Sequence, residues 1–151
     1  MSEAIKVAVR VRPFNARERE RGARCIVRMS GATTTILHPD SEESRAFTFD
    51  HSYWSHDGFI VDENGYNTSK GAEPSKFGGV YADQQAVYDS LGAQVLENAW
   101  AGFNCCLFAY GQTGSGKTHT MLGSDACPGV VPRAIERVWE AIDATPTTEW
   151  H

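Results

Sequence analysis

Lys117 and Thr118 close the stretch Gly111-Gln112-Thr113-Gly114-Ser115-Gly116-Lys117-Thr118, which fits G-x-x-x-x-G-K-[ST] at every fixed position. The chemistry served by that spacing is the capture of phosphate. Gly111, Gly114 and Gly116 let the backbone turn through angles closed to other residues, so that consecutive N–H groups converge on an anion. A helix opening at Lys117 adds the positive end of its dipole. In such a loop the Lys117 ammonium is expected to reach the β- and γ-phosphates of a nucleotide, and the Thr118 hydroxyl to be a ligand for the Mg²⁺ that bridges them. A plain glycine-rich turn is the alternative. The flanks favour the phosphate loop: Cys105 to Tyr110 is an apolar and aromatic run of the kind a buried strand needs, and a helix-permissive segment follows Lys117.

The elements that position this loop are expected to alternate strand and helix. Ile5 to Arg12 has apolar residues at every odd position and reads as a strand with one strongly buried face, stopped by Pro13. Arg10, Arg12 and Pro13 then share a strand end, where the bland reading is a solvated terminus and the sharper one a ligand contact. Asn15 to Arg24 alternates Arg with Glu, as a solvated turn or short helix would. Cys25–Met29, Thr33–Leu37 and Arg45–Asp50 read as short strands separated by turn residues, forming a small antiparallel lobe with Phe47 and Phe49 on one face. Residues 57–80 contain five glycines and show no period, which reads as a long, mobile surface insertion. Asp83 is a candidate N-cap for a helix from Gln84 to about Ala101, with Val87, Leu91, Val95, Leu96 and Ala99 as its apolar stripe and Gly102 as its terminator. Beyond the loop, helix character breaks at Gly123 to Gly129 and resumes from Val131 to Ala144, with Ile135, Val138, Trp139 and Ile142 on one face. The order is α/β: a central sheet of the P-loop NTPase type flanked by helices, with the antiparallel lobe beside it.

Composition bounds the reading without sharpening it. The chain has 151 residues, 41% hydrophobic and 22% charged, which suits one folded domain at most. A net charge of −5 points to no nucleic-acid partner, and no run is long enough for membrane insertion. The N-terminus, with Glu3 and Lys6, lacks an apolar signal region. Four cysteines (Cys25, Cys105, Cys106, Cys127) form no C-x-x-C pair, and reduced thiols in a cytosolic protein are the simple reading.

Two stretches carry a family resemblance: Val9-Arg10-Val11-Arg12-Pro13-Phe14, and Phe108 through the phosphate loop to Met121 (FAYGQTGSGKTHTM). Together they resemble the motor domain of a kinesin. Phe49-Asp50, Gln85-x-x-Tyr88, Gly102-Phe103-Asn104 and Gly129-Val130-Val131-Pro132-Arg133 also stand where that family has equivalents, and Ser52-Tyr53-Trp54-Ser55-His56 is similar to the vesicle-transport subfamily. The resemblance runs from Ile5 to about Ala144, interrupted by residues 57–80. It implies ATP and Mg²⁺ as ligands, the whole loop from Gly111 to Thr118 as nucleotide-binding, Lys117 as the catalytic cation and Thr118 as the metal ligand. It further implies that Arg12 and Pro13 lie against the adenine with Arg10 nearby, and that His119 lies close to the nucleotide. The implied activity couples ATP hydrolysis to stepping on microtubules, so tubulin is the implied partner, the cytoplasm and its microtubules the implied location, and cargo adaptors would act through other regions.

The departures are as informative as the matches. A kinesin motor domain is roughly twice this length, large on the ordinary domain scale. The family's N-x-x-S-S-R-S-H, which helps place Mg²⁺ and water, and its D-L-A-G-S-E, which senses the γ-phosphate, do not occur here. Residues 1–151 therefore look like the N-terminal portion of such a domain, ahead of the switch and microtubule-binding segments. Two other readings stay open: a non-catalytic nucleotide-binding fragment, and a different P-loop NTPase such as a nucleotide kinase or GTPase. The R-x-R-P and Phe108-Ala109-Tyr110 residues argue against the latter.

Overall fold

The structure, a computed structural model, describes residues 5–41, 43–63 and 65–145. Glu3 at the N-terminus and Asn64 within the 57–80 stretch lie outside the described residues. The chain divides into two compact units, Met1–Asp83 and Gln84–His151.

In the first unit, β1 (Ala8–Val11) is shorter than the alternation predicts, because Val7 is held by a side chain before the ladder begins. The Val7 N–H donates to Asp50 Oδ2 at 2.8 Å. That hydrogen bond, with a lesser contribution from Lys6, holds the Asp50 carboxyl below its ordinary pKa. The expected strongly buried face does not form: Val7 is exposed and Val9 and Val11 are half-buried. The ladder of β1 is a single parallel pairing, with β5 (His51–Trp54).

Between them lie α1 (Ala16–Glu20) and a three-stranded antiparallel sheet of β2 (Val27–Ser30), β3 (Thr33–Leu37) and β4 (Ser44–Thr48). The sheet is the lobe expected from the turn residues, and Ser30 pairs with Thr33 across a tight turn whose Gly31 has φ +53°. Phe47 is exposed on it while Phe49 is half-buried.

In the core of this unit Trp54 is 1% exposed, and Met29, Thr34, Tyr53 and Ser55 are buried as well. The 57–80 stretch carries a hairpin of β6 (Phe59–Val61) and β7 (Asn67–Ser69), then returns to that core. The Met29 N–H donates to the Phe77 carbonyl at 3.0 Å, and the Phe77 ring lies 6.1 Å from Trp54. Gly79 passes so close to Trp54 that a Cβ there would fall 2.1 Å from the Trp54 Cβ.

The second unit opens with a continuous helical run: α2 (Gln84–Val87), a π-helical turn over Tyr88–Gly92, and α3 (Ala93–Trp100). It ends where the sequence predicts. Gly102 has φ +85°, its N–H donates to Ala99 O, and the Phe103 N–H reaches back to Asn98 O, the two bonds of a Schellman stop.

Residues 105–110, predicted as a buried strand, are not one. No ladder holds them, and Phe108 and Tyr110 are 78% and 96% exposed. The physical reason is the lack of neighbours. A strand exists through its partners, and the described strands of this unit, β8 (Gly123–Ser124) and β9 (Cys127–Pro128), pair with each other. The expected central sheet is thus represented by the β1–β5 pair.

The loop helix α4 (Lys117–Met121) leads through the β8–β9 turn into α5 (Val130–Ala144). Val87, Tyr88 and Val130 form the buried centre, and Gly92 lets α5 approach, since a Cβ there would meet Val130 Cγ1 at 2.9 Å. The outer apolar face of α5 stays open, with Ile135 and Trp139 exposed. The four cysteines are free thiols, and burial pushes the Cys25 thiol up from its ordinary pKa. Among the described residues, no helix is long and apolar enough to cross a membrane.

Candidate phosphate-binding site

The loop between Tyr110 and α4 is shaped by its glycines. Gly116 is the N-cap of α4 and sits in the left-handed region at φ +97°, which an L side chain would resist. Gly111, at φ +148°, leaves room for Ser115, whose Oγ would lie 2.6 Å from any added Cβ. The Ser115 N–H donates to Gln112 O at 3.2 Å and closes the turn. The chain then starts α4 at Lys117, so the backbone N–H groups of Lys117 and Thr118 precede the first intrahelical donor, Thr120, which bonds Gly116 O at 2.9 Å.

The Lys117 side chain folds back over this loop. Its Nζ donates to Gly111 O at 2.7 Å and Gln112 O at 2.9 Å. An ammonium has three donors, so these two bonds leave one direction for an incoming anion. Gln112, Thr113, Gly114, Thr118 and His119 are exposed, while Ser115, Gly116 and Lys117 are half-buried. The donor set therefore suits a phosphate chain: one cation, backbone N–H groups, and no carboxylate among Gly111 to His119. The dipole of a helix as short as α4 adds little, and the cation and the N–H groups carry most of the attraction.

For Mg²⁺ the residues supply one neutral ligand, the Thr118 hydroxyl. Among the described residues no group of three His, Cys, Asp or Glu side chains is placed to hold a metal. That fits a cation which keeps most of its water and binds through phosphate oxygens plus one or two protein groups.

Arg10, Arg12 and Pro13 belong to the first unit, and all three are half-buried. Arg10 Nε donates to Ser55 Oγ at 2.9 Å, and Ser55 in turn donates to Ala82 O at 2.6 Å. Arg12 makes a two-pronged pair with Glu18, at 2.7 and 2.6 Å, and donates to Pro13 O. Glu18 also closes the capping box of α1, accepting from the Asn15 N–H at 2.8 Å while its own N–H donates to Asn15 Oδ1 at 2.9 Å. The Arg12 guanidinium, then the Asn15 N–H, hold the Glu18 carboxyl down at about 2.

Sequence reasoning passed over two residues. Glu18 was legible as the last member of an N-x-x-E capping pattern. Gln84 was not: it is buried, and its Nε2 donates to the His119 carbonyl of α4 at 2.5 Å.

Comparison with known proteins agrees with the geometry. The profile of the kinesin motor domain matches residues 10–151. Kinesin-like protein KIF28 of Rattus norvegicus is 43% identical over 143 residues, covering 94% of this chain and 13% of the relative. Kinesin-related protein 1 of Dictyostelium discoideum is 40% identical, covering 95% of this chain and 6% of the relative. Among solved structures, a KIF14 dimer in a two-heads-bound state, with AMP-PNP and in complex with a microtubule, superposes with a TM-score of 0.79 at 38% identity. That match covers 99% of this chain and 36% of the KIF14 chain. A KIF14 structure with ADP in complex with a microtubule gives 0.77 at 40% identity, covering 96% and 35%. The chain thus spans a small part of its curated relatives and about a third of the solved motors.

Proposed function

This chain belongs to the kinesin motor-domain family, and from that premise we propose that it is the nucleotide-binding part of an ATP-driven, microtubule-based motor. The observation that carries the reading is the Lys117 ammonium folded over a loop held open by Gly116 in the left-handed region. Lys117 exchanges part of its bonding to Gly111 O and Gln112 O for β- and γ-phosphate oxygens, so that the charge developing in phosphoryl transfer meets a cation already in place. The N–H groups from Gly111 to Thr118 hold the phosphate chain, and Thr118 Oγ1 is the protein's ligand for Mg²⁺. The metal would supply positive charge that offsets the charge of the phosphates. Arg10, Arg12 and Pro13 are the proposed contacts for the base, and His119 lies near the nucleotide. Of residues 57–80, expected as a surface insertion, the β6–β7 hairpin is read as taking no part in binding, while Phe77 and Gly79 lie against the buried Trp54.

Microtubules are the proposed track, supported by the family and by the complexes in which the KIF14 structures were solved. The cytoplasm is accordingly the proposed location, with cargo adaptors as further partners of the whole motor. Replacing Lys117 with Ala in the full-length protein removes a charge-assisted bond worth ~1.5–3 kcal/mol. Mg·ATP affinity measured by calorimetry should fall by roughly 10–150-fold or more, and an unchanged affinity would refute the assignment.

A second reading, nucleotide binding without turnover by these 151 residues, is favoured by the exposure of Phe108 and Tyr110 ahead of the loop. The groups that position the attacking water in the family have no counterpart in this sequence. Residues 1–151 on their own should show no microtubule-stimulated phosphate release. Turnover that rises with added microtubules and vanishes in Lys117→Ala would exclude this reading.

A further inference from the structure

We infer that Gln84 is a positioning residue for the phosphate loop: its side-chain amide fixes α4 in place, and through α4 the Lys117 ammonium and the Thr118 hydroxyl. The inference rests on the nucleotide reading above and adds to it a residue outside the loop motif.

The need for such a residue follows from the length of α4. Five residues are far below the ~12–15 at which an isolated helix becomes even marginally stable in water. Its place must therefore be set by ties to other elements. Its last carbonyls also lack intrahelical donors. The next N–H in line for His119 O would be that of Gly123, but the chain turns away there at φ +70° into β8. Gln84 Nε2 takes that carbonyl instead, at 2.5 Å.

Gln84 is 3% exposed at the first position of α2. A methionine or leucine would fill similar space without the desolvation cost of an amide, so the hydrogen bond offsets a real penalty. The start of α2 is anchored on its other side as well. Gln85 Oε1 accepts from Arg133 Nη1, and Arg133 Nε donates to Pro128 O at 3.0 Å. Gly129 closes against the far end of α4, where a Cβ would fall 2.6 Å from Thr120 O. The loop helix is thus clasped between α2 and the corner joining β9 to α5. Lys117 and Thr118 lie within one helical turn of His119, so a shift of α4 by an ångström would move the ammonium out of reach of the 2.7 and 2.9 Å bonds that now hold it.

The test uses Gln84→Met and Gln84→Glu in the full-length protein, with Mg·ATP affinity by calorimetry and the thermal midpoint measured beside it. Methionine keeps the volume and removes the donor; affinity should fall ~5-fold, the size of one net hydrogen bond, with the midpoint little changed. A protonated glutamic acid donates to the His119 carbonyl as the amide does, whereas a carboxylate cannot and is repelled. The Gln84→Glu affinity, normalised to wild type at each pH to remove every titration the two proteins share, should approach wild type at acid pH and fall as pH rises. Filling a hole would give no such trend. If Gln84→Met fails to fold, the pH series decides alone. Wild-type affinity in a folded Gln84→Met, or a flat normalised pH series in Gln84→Glu, overturns the inference. A wild-type protein that binds no Mg·ATP overturns the nucleotide reading instead.

Discussion

Gly79→Ala adds a single methyl group, and the structure sets what it meets. An ideal Cβ at position 79 lies 2.1 Å from Trp54 Cβ and 2.5 Å from Trp54 Cγ, whereas carbon atoms rest about 3.5–4.0 Å apart. More than an ångström of separation must therefore be made. Trp54 cannot supply it cheaply. It is 1% exposed, its backbone is paired with Val11 across the β1–β5 ladder, and its indole N–H donates to Asp57 Oδ1 at 2.7 Å. Moving the Gly79 backbone instead strains the bond from the Ser75 N–H to Gly79 O, now 2.8 Å. Overpacking of this kind reaches about 3 kcal/mol, and a lost hydrogen bond adds about 1 kcal/mol. At roughly 4–8 °C per kcal/mol for a unit of this size, the thermal midpoint should fall by about 15–30 °C. Gly22→Ala is the control. Gly22 has φ +64° and nothing within 4 Å of an added Cβ, so that variant carries left-handed strain alone, about 1–2 kcal/mol. Scanning calorimetry on the two variants separates clash from strain. A Gly79→Ala midpoint equal to that of wild type, or to that of Gly22→Ala, would refute the packing argument.

Glu18 has its carboxyl lowered from 4.5 to about 2 by Arg12 and the Asn15 N–H, so its contribution is present in full above the unfolded value and is lost as pH falls through the folded one. The difference in unfolding midpoint between wild type and Glu18→Gln should be constant above about pH 5 and shrink towards pH 2, and a difference that does not change with pH would count against the Arg12–Glu18 tie. Deleting residues 60–68 joins Phe59 to Ser69, which already face each other across the hairpin. Nucleotide affinity should stay within a few-fold, because loop length acts only weakly on stability; a large loss in a folded variant would bring the hairpin into the binding site.

The parts of this molecule legible in advance are those decided by local chemistry. The turn of the chain into α4 was readable from spacing, because backbone angles such as that of Gly116 are reserved for glycine. The end of α3 at Gly102 and the turn at Gly31 were readable for the same reason. Elements decided by partners were not. Cys105 to Tyr110 has the composition of a buried strand and no ladder to join, and Val7 to Val11 alternates cleanly yet stays half-covered beside β5. The hairpin in 57–80 escaped notice because strands of three residues are too short to show a period. Gln84 escaped because a glutamine opening a helix looks like a surface residue; only packing buries its amide and brings it to the His119 carbonyl.

The π turn over Tyr88–Gly92 sets the phase of everything that follows it. A π turn winds in one residue more than an α-helix would, and one residue corresponds to about 100° of helical rotation. The faces of α2 and α3 are therefore out of step, and an apolar stripe drawn through Val87 and Val95 with a single period does not follow one side of the rod. Loss of any one residue between Tyr88 and Gly92 would let the run close into an uninterrupted α-helix of nearly the same length. The turn absorbs its extra residue within a single revolution, so that loss would leave α3 in nearly its present orientation relative to α2, with Val95 and Leu96 on the same side of the rod. A one-residue deletion in this segment is thus absorbed where it is made, whereas the same deletion inside α3 would rotate every later side chain of the helix by about 100°.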